Sequence, residues 1–425
     1  MSDTKNENRI LFSGSFYGIF SAVFISVVSY FVRRYLSFTL SIQEVGEYYA
    51  LLALVQMISV FSEFGLFQSG VAAFLAPQND VSDVFNRLLR IRSVCGIAIL
   101  ALLLCLTGPI ERNYMHTSPG HSAKLILFAG CSTLFACIEY AYAIYWHARR
   151  AYGMLNIFVS CRAVLLFLVT VAATYKFGLI GAMAMQASVA LLSLAASILL
   201  TGRNMGLWPR FPSGRPAKAE MSISKLALAS VCISVISYSD MVLLTYIRGP
   251  EDAGVYSMAL SVAQIVLILA IVPPVFLPTF IKMGENMEFR RFRTILLFAI
   301  SFIVLANVMS AVFLNYCAPR IITILFPRAY LPAAGLLIPL TSAMIFFLGG
   351  TFFQHMLLAL KREKSILSIC AALTVLNLIL HCCAIRQWGG YGAAYATMIT
   401  HFLYMASYAA IILLVLRSLN KKARM

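Results

Sequence analysis

Charge is what this sequence has least of. Only 12% of its 425 residues are Asp, Glu, Lys or Arg, while 61% are hydrophobic. A water-soluble chain of this length needs far more polar surface. No polar stretch is long enough to build a sizeable soluble domain. The arrangement of a cleavable secretion signal is also missing. Met1 to Arg9 is a short polar tail, and the apolar run behind it has no small-residue cleavage site.

Catalytic signatures are equally scarce. There is no Gly-rich phosphate loop and no Ser/His/Asp set in a loop. No large loop could hold the acceptor site of a membrane glycosyltransferase or ligase. Ten cysteines are present, scattered through apolar runs, and none stands at a metal-ligand spacing. His381-Cys382-Cys383 is the nearest to a cluster and reads as packing. These absences point away from an enzyme and from a resident metal or organic cofactor.

Long apolar runs fill the chain instead. A helix needs about 20 apolar residues to cross the hydrocarbon. Spans are expected at 14–36, 47–70, 91–110, 124–147, 154–176, 178–201, 225–247, 254–281, 294–316, 331–358, 365–385 and 389–417. The net charge of +17 fits basic loops on one membrane face better than a nucleic-acid partner. With a cytoplasmic N-terminus, 23 of the 33 Lys and Arg fall in the two tails and the even-numbered connections, Arg87, Arg90 and Arg92 among them. Nine fall on the opposite face and one, Arg162, inside a span. That asymmetry predicts an all-α integral membrane protein of twelve transmembrane helices with both termini cytoplasmic.

The twelve divide into two copies of six. Residues 25–30 read ISVVSY and residues 233–238 read ISVISY, 208 positions later. At the same offset Gly46-x-Tyr48-x3-Leu52-x3-Gln56 recurs as Gly254-x-Tyr256-x3-Leu260-x3-Gln264. Gly178-x-x-Gly181-Ala182 opens span six and Gly389-x-x-Gly392-Ala393 opens span twelve. Small residues at this spacing let helices approach closely in lipid. Six helices per copy put both copies in one orientation. Two lobes, 1–203 and 225–425, are therefore expected around a basic cytoplasmic linker at 204–224, whose Pro-rich stretch 208–216 cannot continue a helix.

A charge in mid-span costs about 2.5–3.5 kcal/mol on insertion scales, so each needs a partner or a wet cavity. Span one carries a small, polar stripe that includes Ser26, Ser29 and Arg33, and span seven carries Ser234, Ser237 and Asp240. Arg33 and Arg34 either snorkel to the interface or line a cavity. Span two holds Glu63, followed by Gly65 and Gly70, and span eight holds Pro273, Pro274 and Pro278. Both helices are breakable at matching depth, which suggests gates, or fixed kinks. Glu139 and Arg162 reach similar depth on adjacent helices, either as a structural ion pair or as a restrained anion ligand. His147 and His355 are candidate proton carriers or hydrogen-bonding partners; His381 and His401 read as packing.

Together, the repeated six-helix halves, Gly-x-Tyr in spans two and eight, Asp240-Met241-Val242-Leu243-Leu244 and the paired Gly-x-x-Gly-Ala motifs resemble the multidrug/oligosaccharidyl-lipid/polysaccharide exporter superfamily. Within it the chain is most similar to bacterial polysaccharide, or O-antigen, flippases. That resemblance implies a V-shaped pair of lobes in the cell inner membrane, with spans one and seven flanking a cavity and spans one, two, seven and eight gating it. It also implies transfer of an undecaprenyl-diphosphate-linked oligosaccharide between leaflets. A diphosphate calls for Arg, here Arg33, Arg34 and Arg162, beside the span-one and span-seven serines. Asp240, Glu63 and Glu139 are the candidates for coupling to H+ or Na+. Implied partners are the lipid-linked substrate, membrane lipids, a polysaccharide polymerase and a chain-length regulator. A cation-coupled drug antiporter of the same superfamily is the alternative. Reporter fusions after Arg215 and at the C-terminus are expected to report cytoplasm; a signal from the opposite side at either would break the two-by-six topology.

Overall fold

The computed structural model describes the chain except for residues 1, 64–65, 77–79, 119, 207, 209–224, 272–279, 282, 284–288 and 423–425. Helix accounts for 93% of it, and no strand occurs among the described residues. Lipid dictates this outcome, because a helix satisfies its backbone groups within one segment where no water is available.

The first half contains α1 (Ser2–Thr39), α2 (Ile42–Ser59), α3 (Leu66–Leu75), α4 (Val81–Cys105), α5 (Ala123–Ala148) and α6 (Tyr152–Met205). The second contains α7 (Lys225–Arg248), α8 (Pro250–Ala263), α9 (Phe289–Leu325), α10 (Leu337–Ala359) and α11 (Glu363–Lys422). Eight helical segments are long and apolar enough to cross a membrane. Two of them are of double length. α6 is broken at Gly178 (φ 57°, ψ −142°) and α11 at Gly389 (φ 53°, ψ −131°). Each is two spans joined at a glycine, which raises the eight to ten. α1 and the segment begun by α8 supply the remaining two. The all-α, twelve-span architecture expected from the sequence is therefore present.

The chain folds as two compact units, residues 1–227 and 228–425. In the first, Phe85, Tyr142, Tyr145, Trp146 and Leu194 form a buried cluster across α4, α5 and α6. The indole of Trp146 satisfies its Nε1–H on Thr201 Oγ1 at 2.9 Å, as a buried tryptophan must. α1 is tied to α6 where the Tyr35 hydroxyl donates to the Val171 carbonyl at 3.0 Å. In the second unit, Ser239 Oγ on α7 donates to Asn377 Oδ1 on α11 at 2.6 Å.

The second and eighth spans leave α geometry at equivalent places. A 3-10 turn at Val60–Ser62 follows α2, and a 3-10 run at Gln264–Ile271 follows α8. A short 3-10 stretch inside a helix marks a hinge or a point of strain. Of the expected gate residues, Gly65, Pro273, Pro274 and Pro278 lie outside the described residues. Gly70 lies within α3, where a Cβ would come within 3.0 Å of Ile144.

One expected boundary is corrected. The third span was placed at 91–110, with Arg87, Arg90 and Arg92 in the preceding connection. α4 instead starts at Val81, because the Asp80 carboxylate caps it by accepting from Ser82 N at 2.8 Å. All three arginines lie on the helix. Arg92 falls in register with Val84, Phe85 and Leu88 on its inward stripe and is 1% exposed.

The two joints give a stability test. Any residue with a Cβ is strained at these positive-φ, negative-ψ positions by roughly 1–3 kcal/mol. Gly178→Ala and Gly389→Ala are each expected to lower the thermal unfolding midpoint. Gly18→Ala, in helix with no atom within 4 Å of the added Cβ, is expected to leave the midpoint unchanged or raise it.

Candidate functional site

Inside the first unit, α2, α4, α5 and α6 line an open cavity of about 260 Å³. Its walls bring together Gln56, Glu63, Arg92, Arg162 and Gln186. Arg162 and Glu139 were placed at equal depth by their distance from the α5–α6 turn, and they meet there. Arg162 Nη1 donates to both carboxylate oxygens of Glu139, at 3.0 and 2.9 Å. The pair answers the cost of placing either charge alone in hydrocarbon. Glu63, in the turn after the 3-10 segment, is exposed on the cavity wall.

The α1 candidates do not line this cavity. Arg33 and Arg34 are half-buried. The Arg33 guanidinium lies over the Tyr49 ring at 5.4 Å, and that of Arg34 lies over Phe38 at 5.4 Å. Arg34 Nη1 also donates to the Tyr30 hydroxyl at 3.4 Å. Ser26 and Ser29 are exposed on the same helix, with Ser26 Oγ returned to the Ala22 carbonyl at 2.8 Å. In the second unit, Ser234 and Ser237 are half-buried, and Ser237 Oγ likewise bonds its own helix at Ile233 O, 2.9 Å away.

Asp240 is 3% exposed. Its Oδ2 accepts from the Tyr256 hydroxyl at 2.7 Å, and its Oδ1 accepts from Met241 N at 2.7 Å. Tyr256 is the tyrosine of the repeated Gly-x-Tyr, so one conserved spacing within the chain holds the one acid of α7. Behind this pair lies a buried polar ladder between the two limbs of α11. His381 Nδ1 donates to Asn377 O at 2.8 Å, and His381 Nε2 lies 3.1 Å from Thr397 Oγ1. Asn377 Nδ2 donates to Thr400 Oγ1 at 3.2 Å.

Two further residues, Arg92 and His381, belong to these buried networks. Arg92 was counted with the loop cations, although the Asp80 cap and the apolar stripe it shares would have exposed it. His381 was read as packing; nothing in its spacing reveals that it joins a buried network. Of the other histidines, His147 is half-buried with its ring edge-on to Phe67 at 5.1 Å. His355 Nδ1 lies 2.8 Å from Thr351 O on its own helix, and His401 Nδ1 lies 3.0 Å from Ala343 O. Among the described residues no group of His, Cys, Asp and Glu could hold a metal ion, and all ten cysteines are unpaired.

This arrangement of helices is that of membrane exporters. An inward-facing multidrug resistance MATE family transporter of the MOP superfamily superposes with a TM-score of 0.68, covering 93% of this chain and 96% of its own at 14% identity. Lipid II flippase MurJ in an inward closed conformation gives 0.70, with 93% and 86% covered at 15% identity. The bent form of the Vibrio cholerae MATE transporter VcmN gives 0.57, with 98% and 99% covered at 12% identity. At these identities the likeness is one of fold. The protein is thus a multi-pass membrane protein with the fold of MOP superfamily exporters. No curated protein matches the sequence. Residues 11–284 match the family described as polysaccharide biosynthesis protein, and the chain belongs to that family.

The Arg162–Glu139 pair predicts a sign reversal in stability. Glu139→Ala is expected to cost about 2 kcal/mol, less than the roughly 3–5 of a fully buried pair because the Arg162 side chain stays 30% exposed. Adding Arg162→Ala is expected to recover part of that loss. A double variant less stable than Glu139→Ala in thermal unfolding would contradict the pairing.

Proposed function

We propose that this protein is a flippase. Its cargo is an undecaprenyl-diphosphate-linked oligosaccharide, a repeat unit of O-antigen or a similar polysaccharide, carried across the bacterial inner membrane by alternating access. The observation that carries the reading is the polysaccharide biosynthesis family match, set on a fold shared with a lipid II flippase. Both termini are assigned to the cytoplasm. A polysaccharide polymerase and a chain-length regulator are the protein partners that such a step requires.

The likeness to MATE transporters keeps a cation-coupled multidrug antiporter as the second reading. The charges argue for the first. A cationic drug needs carboxylates that are not already engaged. Glu139 is taken by Arg162 and Asp240 is enclosed and bonded by Tyr256, so of the three candidate acids Glu63 alone is exposed, against the half-buried Arg33 and Arg34 of α1. A membrane glycosyltransferase or ligase stands third, for want of any catalytic set.

In this reading Arg33, Arg34 and Arg162 contact the diphosphate, since Arg makes paired N–H contacts to phosphoryl oxygens. Ser26, Ser29, Ser234 and Ser237 add hydroxyls along the two repeated helices. Asp240, Glu63 and Glu139 couple transport to H+ or Na+, with no other cofactor, by changing charge as the conformation alternates. Gly65, Gly70, Pro273, Pro274 and Pro278 flank the breaks that open and close the path.

Arg33→Ala and Arg162→Ala, each scaled to its membrane abundance, are expected to abolish surface polysaccharide in a strain dependent on this gene. Unchanged polysaccharide in both would remove the phosphate-clamp assignment.

A further inference from the structure

The cavity of the first unit contains a cation whose binding edge is unfilled. The Arg92 guanidinium lies over the Tyr140 ring, 4.4 Å from its centroid, and Nη1 donates to Ser62 Oγ at 3.2 Å. The other two nitrogens, Nε and Nη2, are buried and have no hydrogen-bond partner. These two form the side-on edge of a guanidinium. Their N–H bonds run parallel and match two oxygens of one carboxylate or phosphoryl group.

A second unfilled group belongs to a residue of the same wall. Gln186 Oε1 is buried without a partner and lines the cavity with Arg92. An amide oxygen only accepts, so it calls for a hydroxyl or N–H. The neighbouring Arg162 has its Nη1 given to Glu139. Short hydroxyl side chains, Ser59 and Thr133, complete the polar wall. A buried charge with unmet donors is costly, and native structures keep one where something supplies the acceptor. At about 260 Å³ the cavity is smaller than the 300–1,000 Å³ of drug-sized sites. That volume suits one sugar ring.

We propose that this cavity binds a single hydroxylated oxyanion, an acidic sugar or a sugar phosphate, with the Arg92 edge holding the anionic group and Gln186 accepting from a hydroxyl. The proposal rests on the flippase reading only in making this the place where an anionic sugar of the cargo is held. The exposed carboxylate of Glu63 on the same wall disfavours anions of higher charge, and pyrophosphate with them.

The test is thermal unfolding of the full-length detergent-purified protein at constant ionic strength, with glucuronate, glucose 1-phosphate, glucose, inorganic phosphate, pyrophosphate or chloride as probe. Saturating glucuronate or glucose 1-phosphate is expected to raise the midpoint by about 2–4 °C. Whichever acts identifies carboxylate or phosphoryl as the anionic group. Glucose, chloride and inorganic phosphate are expected to have no such effect, and pyrophosphate a smaller one. Arg92→Lys, which keeps the charge and loses the paired edge, is expected to weaken binding at least tenfold. Gln186→Ala, which leaves Arg92 in place, is expected to weaken it severalfold. Equal shifts with chloride or inorganic phosphate, or full binding in both variants, overturn the assignment. No sugar-dependent shift in a protein that still restores surface polysaccharide overturns the cavity and leaves the flippase reading. Sugar binding by a protein that moves no lipid-linked saccharide does the reverse.

Discussion

Within hydrocarbon no water can satisfy a polar group, so every charge and every backbone amide needs a partner inside the protein. Much else in this structure follows from that constraint. It makes the described residues almost wholly helical, and it decides what becomes of the few intramembrane charges. Glu139 has Arg162 at 2.9 Å. Asp240 has the Tyr256 hydroxyl and a backbone amide. Arg92 has an aromatic face and one serine, which leaves two of its three nitrogens without a partner. A graded series results, from a closed pair, through an enclosed acid, to a buried cation with unmet donors. The position where satisfaction is incomplete is where binding chemistry has room to operate.

Duplication supplied the frame on which these charges diverged. Both halves keep the serine-bearing helix, the Gly-x-Tyr start of the next, a 3-10 break further along that helix, and a glycine joint between the last two spans. The joints are backbone devices and are the same in both halves. The charges are not. α1 carries Arg33 and Arg34 just beyond the position at which α7 carries Asp240. Tyr256 bonds that acid, whereas its counterpart Tyr48 is buried in a half that has Val32 at the equivalent position. A fold common to drug transporters and a lipid II flippase can thus be turned to different cargo by few side chains.

Much of the architecture was legible in the sequence because it rests on local rules. Apolar runs of span length, loop charge and a repeated motif act over tens of residues or fewer. Gly178 and Gly389, which open spans six and twelve in the repeated motif, are the joints themselves. The Glu139–Arg162 contact was also legible, since equal distance from one tight turn fixes equal depth. What was hidden depends on how neighbouring helices are rotated against one another, which no run of residues states. The Tyr256–Asp240 bond crosses two helices, and the His381 ladder joins two limbs of a folded-back one. Arg92 was misplaced for a different reason. A cation beside Arg87 and Arg90 reads as loop until the Asp80 cap moves the helix start ten residues earlier.

The account stands or falls on what the protein moves. Purified protein in liposomes, presented with polyprenyl-diphosphate-linked oligosaccharide in the outer leaflet, can be assayed by protection of the saccharide from an added glycosidase. Protein-dependent protection, faster under an imposed ion gradient, is the predicted result. Exchange of cationic drugs for H+ or Na+ with no movement of the lipid-linked saccharide would contradict it.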